Sequence, residues 1–342
     1  MSLDEYDNNK KILDFSLNLN PLGIPHSVRK VISDERCWNA YPDMECTALR
    51  RKISVLEDVP AENIVCGNGG DDMIFRIVTA LNPARAVIFS PCSYEYRRAL
   101  EQNGCKITEI QLDSKDNFSM TADAVSVIPE YTGMVILGSP SNPTGMVVTP
   151  YVMKCLAEQC ERNHTVLVCD ERYIDFLYKN SRLSAKRVLD RHIIIVKSFT
   201  RIFSIAGIRL GYAIAGDRET AEKIRSTGQR FSISGIALAA AEKAVQEIEF
   251  MRLTRSYIEI VRRDLSGELT ASGIQVFPSC ANFLLIHCEL PIDELLRRKG
   301  IIIKKCGAEY GLDDGYFRIS LRKHDDNRRL VEALEWILRL YR

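Results

Sequence analysis

The chain has 342 residues, and its Lys+Arg 46 against Asp+Glu 45 leave a formal net charge of +1, no cationic surplus for gripping a nucleic-acid backbone. Hydrophobic residues make up 46% and charged residues 27%, and apolar runs such as Ile193 to Val196 are far too short to cross a bilayer, so nucleic acid and membrane are both excluded as expected partners. Met1 to Lys11 is polar and charged without the apolar stretch of a secretory signal, which points to a cytosolic location. The 11 cysteines, spread from Cys37 to Cys306, show no C-x-x-C pair, and the five histidines are far apart. Reduced, mostly buried thiols and no metal site are expected.

In chain order, strand-like runs are predicted at Ile64–Cys66, Ala86–Ser90, Lys106–Leu112, Met134–Gly138, Thr165–Cys169, Ile193–Lys197 and Leu210–Ala215. Helices are predicted to begin near Asp71, Tyr94, Pro150 and Asp217. This alternation predicts an α/β fold, a three-layer αβα domain on a mostly parallel sheet. Ser234 to Leu265 reads as one long, largely unbroken helical stretch. Beyond it come strand-like Ile274–Phe277 and Ala281–His287, a helix at Ile292–Arg298, strands at Ile301–Ile303 and Tyr316–Leu321, and a last helix from Asp325 to Leu340. A small α+β C-terminal domain follows from that pattern. The expected division is a large domain over 41–244, with 1–40 and 245–342 forming an N-terminal arm plus the small domain.

Three segments carry the chemistry. Gly67-Asn68-Gly69-Gly70-Asp71-Asp72 follows a strand and opens a helix, which suits either anion binding by backbone amides or a plain turn capped by Asn68 or Asp71. Asn142, Asp170 and Tyr173 lie beyond the carboxyl ends of strands, which share one edge in a parallel sheet. A buried aspartate there needs a partner, and a protonated ring nitrogen can be one. The third segment runs from Lys197 to Tyr212 as a strand end, a polar loop and a return strand; Ser198, Thr200 and Arg209 within it would form a phosphate cup.

Together these blocks resemble the fold-type I pyridoxal-phosphate enzymes of the aminotransferase class I/II superfamily. The resemblance extends from Asp14-Phe15-Ser16-Leu17-Asn18-Leu19-Asn20-Pro21-Leu22-Gly23, through Tyr41-Pro42-Asp43, to Phe317-Arg318-Ile319-Ser320-Leu321-Arg322. Within the superfamily the chain looks most like threonine-phosphate decarboxylases and histidinol-phosphate aminotransferases, which implies action on a small, phosphorylated amino acid. The resemblance further implies that Asp170 holds the pyridinium nitrogen of pyridoxal 5'-phosphate, that Tyr173 and Asn142 bond its phenolic oxygen, and that Tyr94 stands near its ring. Gly70, Asp71, Ser198, Thr200 and Arg209 would hold its phosphate. Tyr41 would reach the cofactor of a neighbouring subunit, making the protein a homodimer. Arg318 would grip the substrate carboxylate, with Asn20 and Arg322 assisting.

One departure is severe. Arg201 stands where the family motif has its Schiff-base lysine, and a guanidinium, protonated at any physiological pH, forms no stable internal aldimine. Three accounts compete: a substitution made to trap a bound ligand, a non-catalytic homologue that still binds cofactor or phosphorylated ligand, and a displaced lysine, Lys197. Smaller departures are Ser93, with Tyr94 one residue later, where an aromatic normally stacks on the ring, and Gly70 in place of a usual serine. The histidine-glycine-glycine segment that usually precedes the D-F-S block is missing. A nucleotide-binding α/β protein is disfavoured because the dinucleotide fingerprint is absent.

Overall fold

The computed structural model describes residues 12–178 and 180–341. The polar start read from Met1 to Lys11 lies outside them. Among the described residues thirteen strands are formed: β1 (Leu13–Asp14), β2 (Ile64–Gly67), β3 (Arg85–Ser90), β4 (Lys106–Gln111), β5 (Met134–Gly138), β6 (Val166–Asp170), β7 (Ile193–Ser198), β8 (Gly211–Ala215), β9 (Gln275–Val276), β10 (Phe283–His287), β11 (Ile301–Ile302), β12 (Lys304–Cys306) and β13 (Tyr316–Ser320). Seven build the large sheet in the order β2-β8-β7-β6-β5-β3-β4. Its pairings are parallel except for β8, which runs antiparallel to both neighbours because the chain turns back directly after β7.

Apart from the exposed edge strand β4, the strands of this sheet read as largely apolar runs because both faces are covered. Along β7, Ile193 and Ile195 enter one core while Ile194 and Val196 enter the other. The second core is closed by Met73, Ile74, Ile77 and Val78 of helix Gly70–Leu81, Tyr96 and Leu100 of Tyr94–Gln102, and Ala221 and Ile224 of Arg218–Ser226. Helix Pro150–Arg162 packs Val152, Met153 and Leu156 on the opposite face, where Thr149 caps it by accepting from the Val152 amide. Helices His26–Ile32 and Thr47–Glu57 escape the sequence reading, since Val28 is the one buried residue of the first and the second buries Leu49, Ile53 and Glu57 amid charged neighbours.

The stretch expected as one helix from Ser234 to Leu265 is two, Gly235–Ala244 and Ile248–Ala271. Glu247 leaves helical geometry between them, and its carboxylate takes a hydrogen bond from Ser27 of the N-terminal arm. A four-stranded antiparallel sheet, β12-β13-β10-β9, follows. The Ile301–Ile303 run does not join it: β11 pairs in parallel with β1, so the arm is stitched to the C-terminal part of the chain. The short β12 has no counterpart among the predicted strands. All eleven cysteines are free and seven are buried. No helix among the described residues is long and apolar enough to cross a membrane.

A buried ionic cluster lies below β7. Lys197 donates to Glu57 at 2.6 Å and to Asp175 at 3.0 Å, Lys186 pairs with Glu57 at 2.8 Å, and Tyr212 donates to Glu57 at 2.6 Å. Burial alone would lower the Lys197 ammonium, but Asp175, Glu57 and Glu171 outweigh it and raise it above its ordinary value. Lys197 is therefore a locked cation rather than a displaced nucleophile. Glu171 accepts from Ser184 and from the Ala185 amide, and burial pushes its carboxyl from 4.5 up to about 7 against the opposing pull of Lys197.

Because the folded value lies above the unfolded one, the folded chain keeps a proton on Glu171 between about pH 4.5 and 7 that the unfolded chain has lost. That contribution is present at low pH and disappears as pH rises. Glu171→Gln, neutral throughout, is expected to gain stability relative to the parent across this window, by up to about 3 kcal/mol. Urea unfolding at pH 5 and pH 8 measures it; a parent–variant difference independent of pH contradicts the assignment.

Candidate active site

The site is built where β2, β5, β6 and β7 end on one edge of the sheet. Helix Gly70–Leu81 begins there with Asp71 and Asp72 in its first turn, where acidic side chains favour the helix dipole. No side chain caps its Gly69 N-cap; instead Asp72 accepts from the Asn68 amide at 2.8 Å, so neither Asn68 nor Asp71 plays the expected capping part. Gly69 takes φ +98°, and a Cβ on it would stand 2.7 Å from the Arg209 guanidinium. Gly211 of β8 is equally constrained: its Cβ would lie 2.7 Å from the Gly70 nitrogen. The glycines thus let the phosphate-cup segments approach each other.

Ser198 and Thr200 share one acceptor, the Leu210 carbonyl, at 3.3 and 3.4 Å, and the Ser198 hydroxyl also accepts from the Thr200 amide at 3.1 Å. Arg209 stands 3.9 Å from Asp71. The cup residues therefore converge, but the anion among them is the chain's own Asp71. Arg172 beside it, more than Arg201 and Arg209 farther off, holds that carboxyl below its usual range despite burial.

Asp170, 4% exposed at the end of β6, is the centre of the arrangement. The partner expected for it is a ring nitrogen; the structure supplies Arg172. Arg172 Nε lies 2.8 and 2.9 Å from the two carboxylate oxygens, Nη2 lies 2.5 Å from Oδ2, and the Arg172 amide donates to Oδ1 at 3.1 Å. Tyr96, a core residue by its place in the sequence, donates its hydroxyl to Oδ2 at 2.6 Å. Arg172 then reaches on to Asp71 through Nη1, and a Cβ on Gly70 would run into its Cδ. The missing serine side chain at position 70 is the space Arg172 uses. Arg172 is easily passed over because it lies within a motif otherwise matched; the signal is a cation two residues from a buried carboxylate.

Tyr173 is buried, stacks edge-on against Phe283 at 5.0 Å, and accepts from Asn18 Nδ2 at 3.2 Å. Arg201 occupies the short helix Phe199–Ile202 with its guanidinium carbon 5.9 Å from the Tyr173 ring centre. Burial alone would raise the Tyr173 phenol, but Arg201, Arg318 and Arg172 together lower it. Arg318, on β13, reaches Asn142 through Nη1 and the Ser16 carbonyl through Nη2 at 2.8 Å. Its Nε, like Asn18 Oδ1, is buried without a partner among the described residues.

The other expected residues surround this centre or extend from it. Asn20 donates to the Ile202 carbonyl at 2.7 Å and Thr254 at 2.8 Å and accepts from the Leu22 amide at 2.9 Å, which tethers the arm; it also lines the cavity that Arg322 borders. Arg322 donates to Asp326 and to the Asp14 carbonyl, both at 3.0 Å, and borders a cavity of about 500 Å³. Tyr94 stands edge-on to Tyr310 at 5.9 Å. Tyr41, 85% exposed, lies against Phe231 rather than in its own chain's site. Among the described residues no group of three or more His, Cys, Asp or Glu is placed to hold a metal.

These residues do not fit pyridoxal phosphate as the resemblance would hold it. Residue 201 offers no amine. Each Asp170 oxygen already has at least two donors, filling the four lone-pair positions a carboxylate offers.

The aminotransferase class I and II family profile matches residues 10–334. The chain is 32% identical over 333 residues, 96% of its length and 92% of the relative's, to threonine-phosphate decarboxylase of Salmonella typhimurium. It is 27% identical to the adenosylcobalamin biosynthesis bifunctional protein CobDQ of Leptospira interrogans over 95% of its own length and 39% of that protein's. Among solved structures, histidinol-phosphate aminotransferase from Clostridium acetobutylicum superposes with a TM-score of 0.90 at 26% identity, covering 96% of this chain and 100% of that one. A sheet order with one reversed strand, an aspartate at the end of β6 and a match across nearly the full length agree: the chain belongs to the aminotransferase class I and II family, whose fold is that of the fold-type I pyridoxal-phosphate enzymes.

Proposed function

We propose that this chain takes as its ligand a small phosphorylated amino acid of the threonine-phosphate type. Arg318 carries the reading. It is a buried planar fork whose two terminal nitrogens are positioned by Asn142 and Ser16 while Nε is left unpaired among the described residues. A buried donor left unmade costs free energy, and a carboxylate is the group whose geometry answers a guanidinium edge. Arg322, Lys323 and Asn20 line a cavity of about 500 Å³, with Asp14, Asp325 and Asp326 also at its border, and there we place the ligand's phosphate.

The family's reactions draw on pyridoxal phosphate, which when bound drains electrons from a bond at the substrate carbon. In this chain Arg201 cannot lose a proton to act as nucleophile or proton shuttle, and Lys197 is held by Glu57 and Asp175. Those observations favour binding without turnover over decarboxylation or transamination by the chain as it stands. The unit over 41–244 carries the cup and Asp170, while 1–40 and 245–342 bring Arg318 and the arm to it. A homodimer in the cytoplasm completes the reading. Exposed Trp38, Tyr41, Met44 and Phe231 are the apolar surface a second copy would cover, with Tyr41 extended toward its site.

Calorimetric titration tests the ligand. Phosphothreonine is expected to bind, histidinol phosphate, which lacks a carboxylate, to bind at least about tenfold more weakly, and Arg318→Leu to lose about 100-fold in phosphothreonine affinity. Neither carbon dioxide nor keto acid is expected from the unaltered chain with pyridoxal phosphate added. Equal affinity for the two ligands, or unchanged binding by the Arg318 variant, refutes the carboxylate assignment. Sedimentation equilibrium should give a mass near twice 38.8 kDa, falling to one chain for Tyr41→Asp combined with Trp38→Asp; a monomeric parent rules out the shared site.

A further inference from the structure

We infer that Arg172 is a built-in occupant of the bed in which this family holds its cofactor ring, so that Arg172 and Arg201 together, rather than Arg201 alone, set what the chain can bind. The inference rests on the site reading above and deepens it. Arg172 is a buried side chain that connects the two anchors assigned to the cofactor. At one end it saturates Asp170, the anchor for a ring nitrogen; at the other it engages Asp71 and fills the space over Gly70, the anchor for the phosphate.

The guanidinium reproduces the features that a protonated pyridine would present there. It is planar and cationic, and it donates N–H to Asp170. Its charge neutralises a carboxylate that would otherwise be buried alone. The bed is thus chemically complete without a cofactor. Admitting a pyridine ring requires Arg172 to leave two carboxylates at once, and nothing among its described contacts offers it another anion.

The same arrangement says what remains open. Counting the guanidinium groups at 172, 201, 209 and 318 against the carboxylates at 170 and 71 leaves an excess of positive charge in the site. Excluding the ring therefore leaves anion recognition in place, and a phosphorylated amino acid is bound directly by protein groups, not through a cofactor.

The test compares three forms of the full chain, Arg201→Lys, Arg172→Ala, and the two combined. Each is titrated with pyridoxal phosphate, followed by absorbance, then reduced with borohydride and mapped by peptide mass. The double variant is expected to form a reduced adduct at position 201 with an affinity at least about 100-fold above that of Arg201→Lys alone. Arg172→Ala alone should take pyridoxal phosphate without an adduct at 201. Calorimetry with phosphothreonine alone is run on the unaltered chain as a separate reading. An adduct in Arg201→Lys as tight as in the double variant overturns the role of Arg172 and leaves the site reading standing. No adduct in any form overturns the placement of the bed itself, whereas phosphothreonine failing to bind the unaltered chain overturns the ligand reading alone. Thermal unfolding checks that each variant folds; should Arg172→Ala not fold, Arg172→Gln, which keeps a donor near Asp170 but lacks the reach to Asp71, carries the same comparison.

Discussion

Everything at this end of the sheet depends on one carboxylate buried where β6 stops. An ionised aspartate out of water must be matched by a cation with donors for its oxygens, or it takes up a proton instead. Arg172 provides the match from two residues away, and Tyr96 adds a fifth contact. The pair is local in sequence, so it needs no distant element to bring its partners together. Asp71 is then drawn in by the same guanidinium, and the helix start that carries Asp71 is drawn with it.

A second set of constraints brings distant parts of the chain to that carboxylate. The N-terminal arm pairs through β1 with β11, takes a hydrogen bond from the Ser320 amide on the Phe15 carbonyl, and passes on through Asn18 to Tyr173 and through Asn20 to the helix bearing Arg201. Arg318, on the C-terminal sheet, holds the arm as well: one terminal nitrogen donates to the Ser16 carbonyl while the other reaches across to Asn142. The site is therefore a property of the whole chain and not of the large sheet alone.

Much of this is legible in the residues. Strands buried on both faces announce themselves as runs such as Ile193 to Val196, and the glycines and hydroxyls of the cup segments mark the close approaches found there. What escapes the reading is whatever depends on a partner distant in sequence. Helix Thr47–Glu57 shows little pattern until Glu57 is seen to neutralise Lys197. The break at Glu247 answers to Ser27, two hundred and twenty residues away. Asn20 has the look of a ligand contact in its motif, yet its amide is consumed by Ile202 and Thr254. Arg172 is hidden for the opposite reason: it lies inside a motif so well matched around it that its own side chain draws no question.

The contact between Gly70 and Arg172 also restricts how such a sequence can change. A side chain at position 70 meets the arginine methylenes, so a serine or alanine there requires the arginine to move aside. Removal of the arginine, in turn, strands Asp170 unless some other cation arrives to meet it. Positions 172 and 70 are therefore coupled: a larger residue at 70 requires the arginine to move, and a change of the arginine alters what faces both Asp170 and position 70.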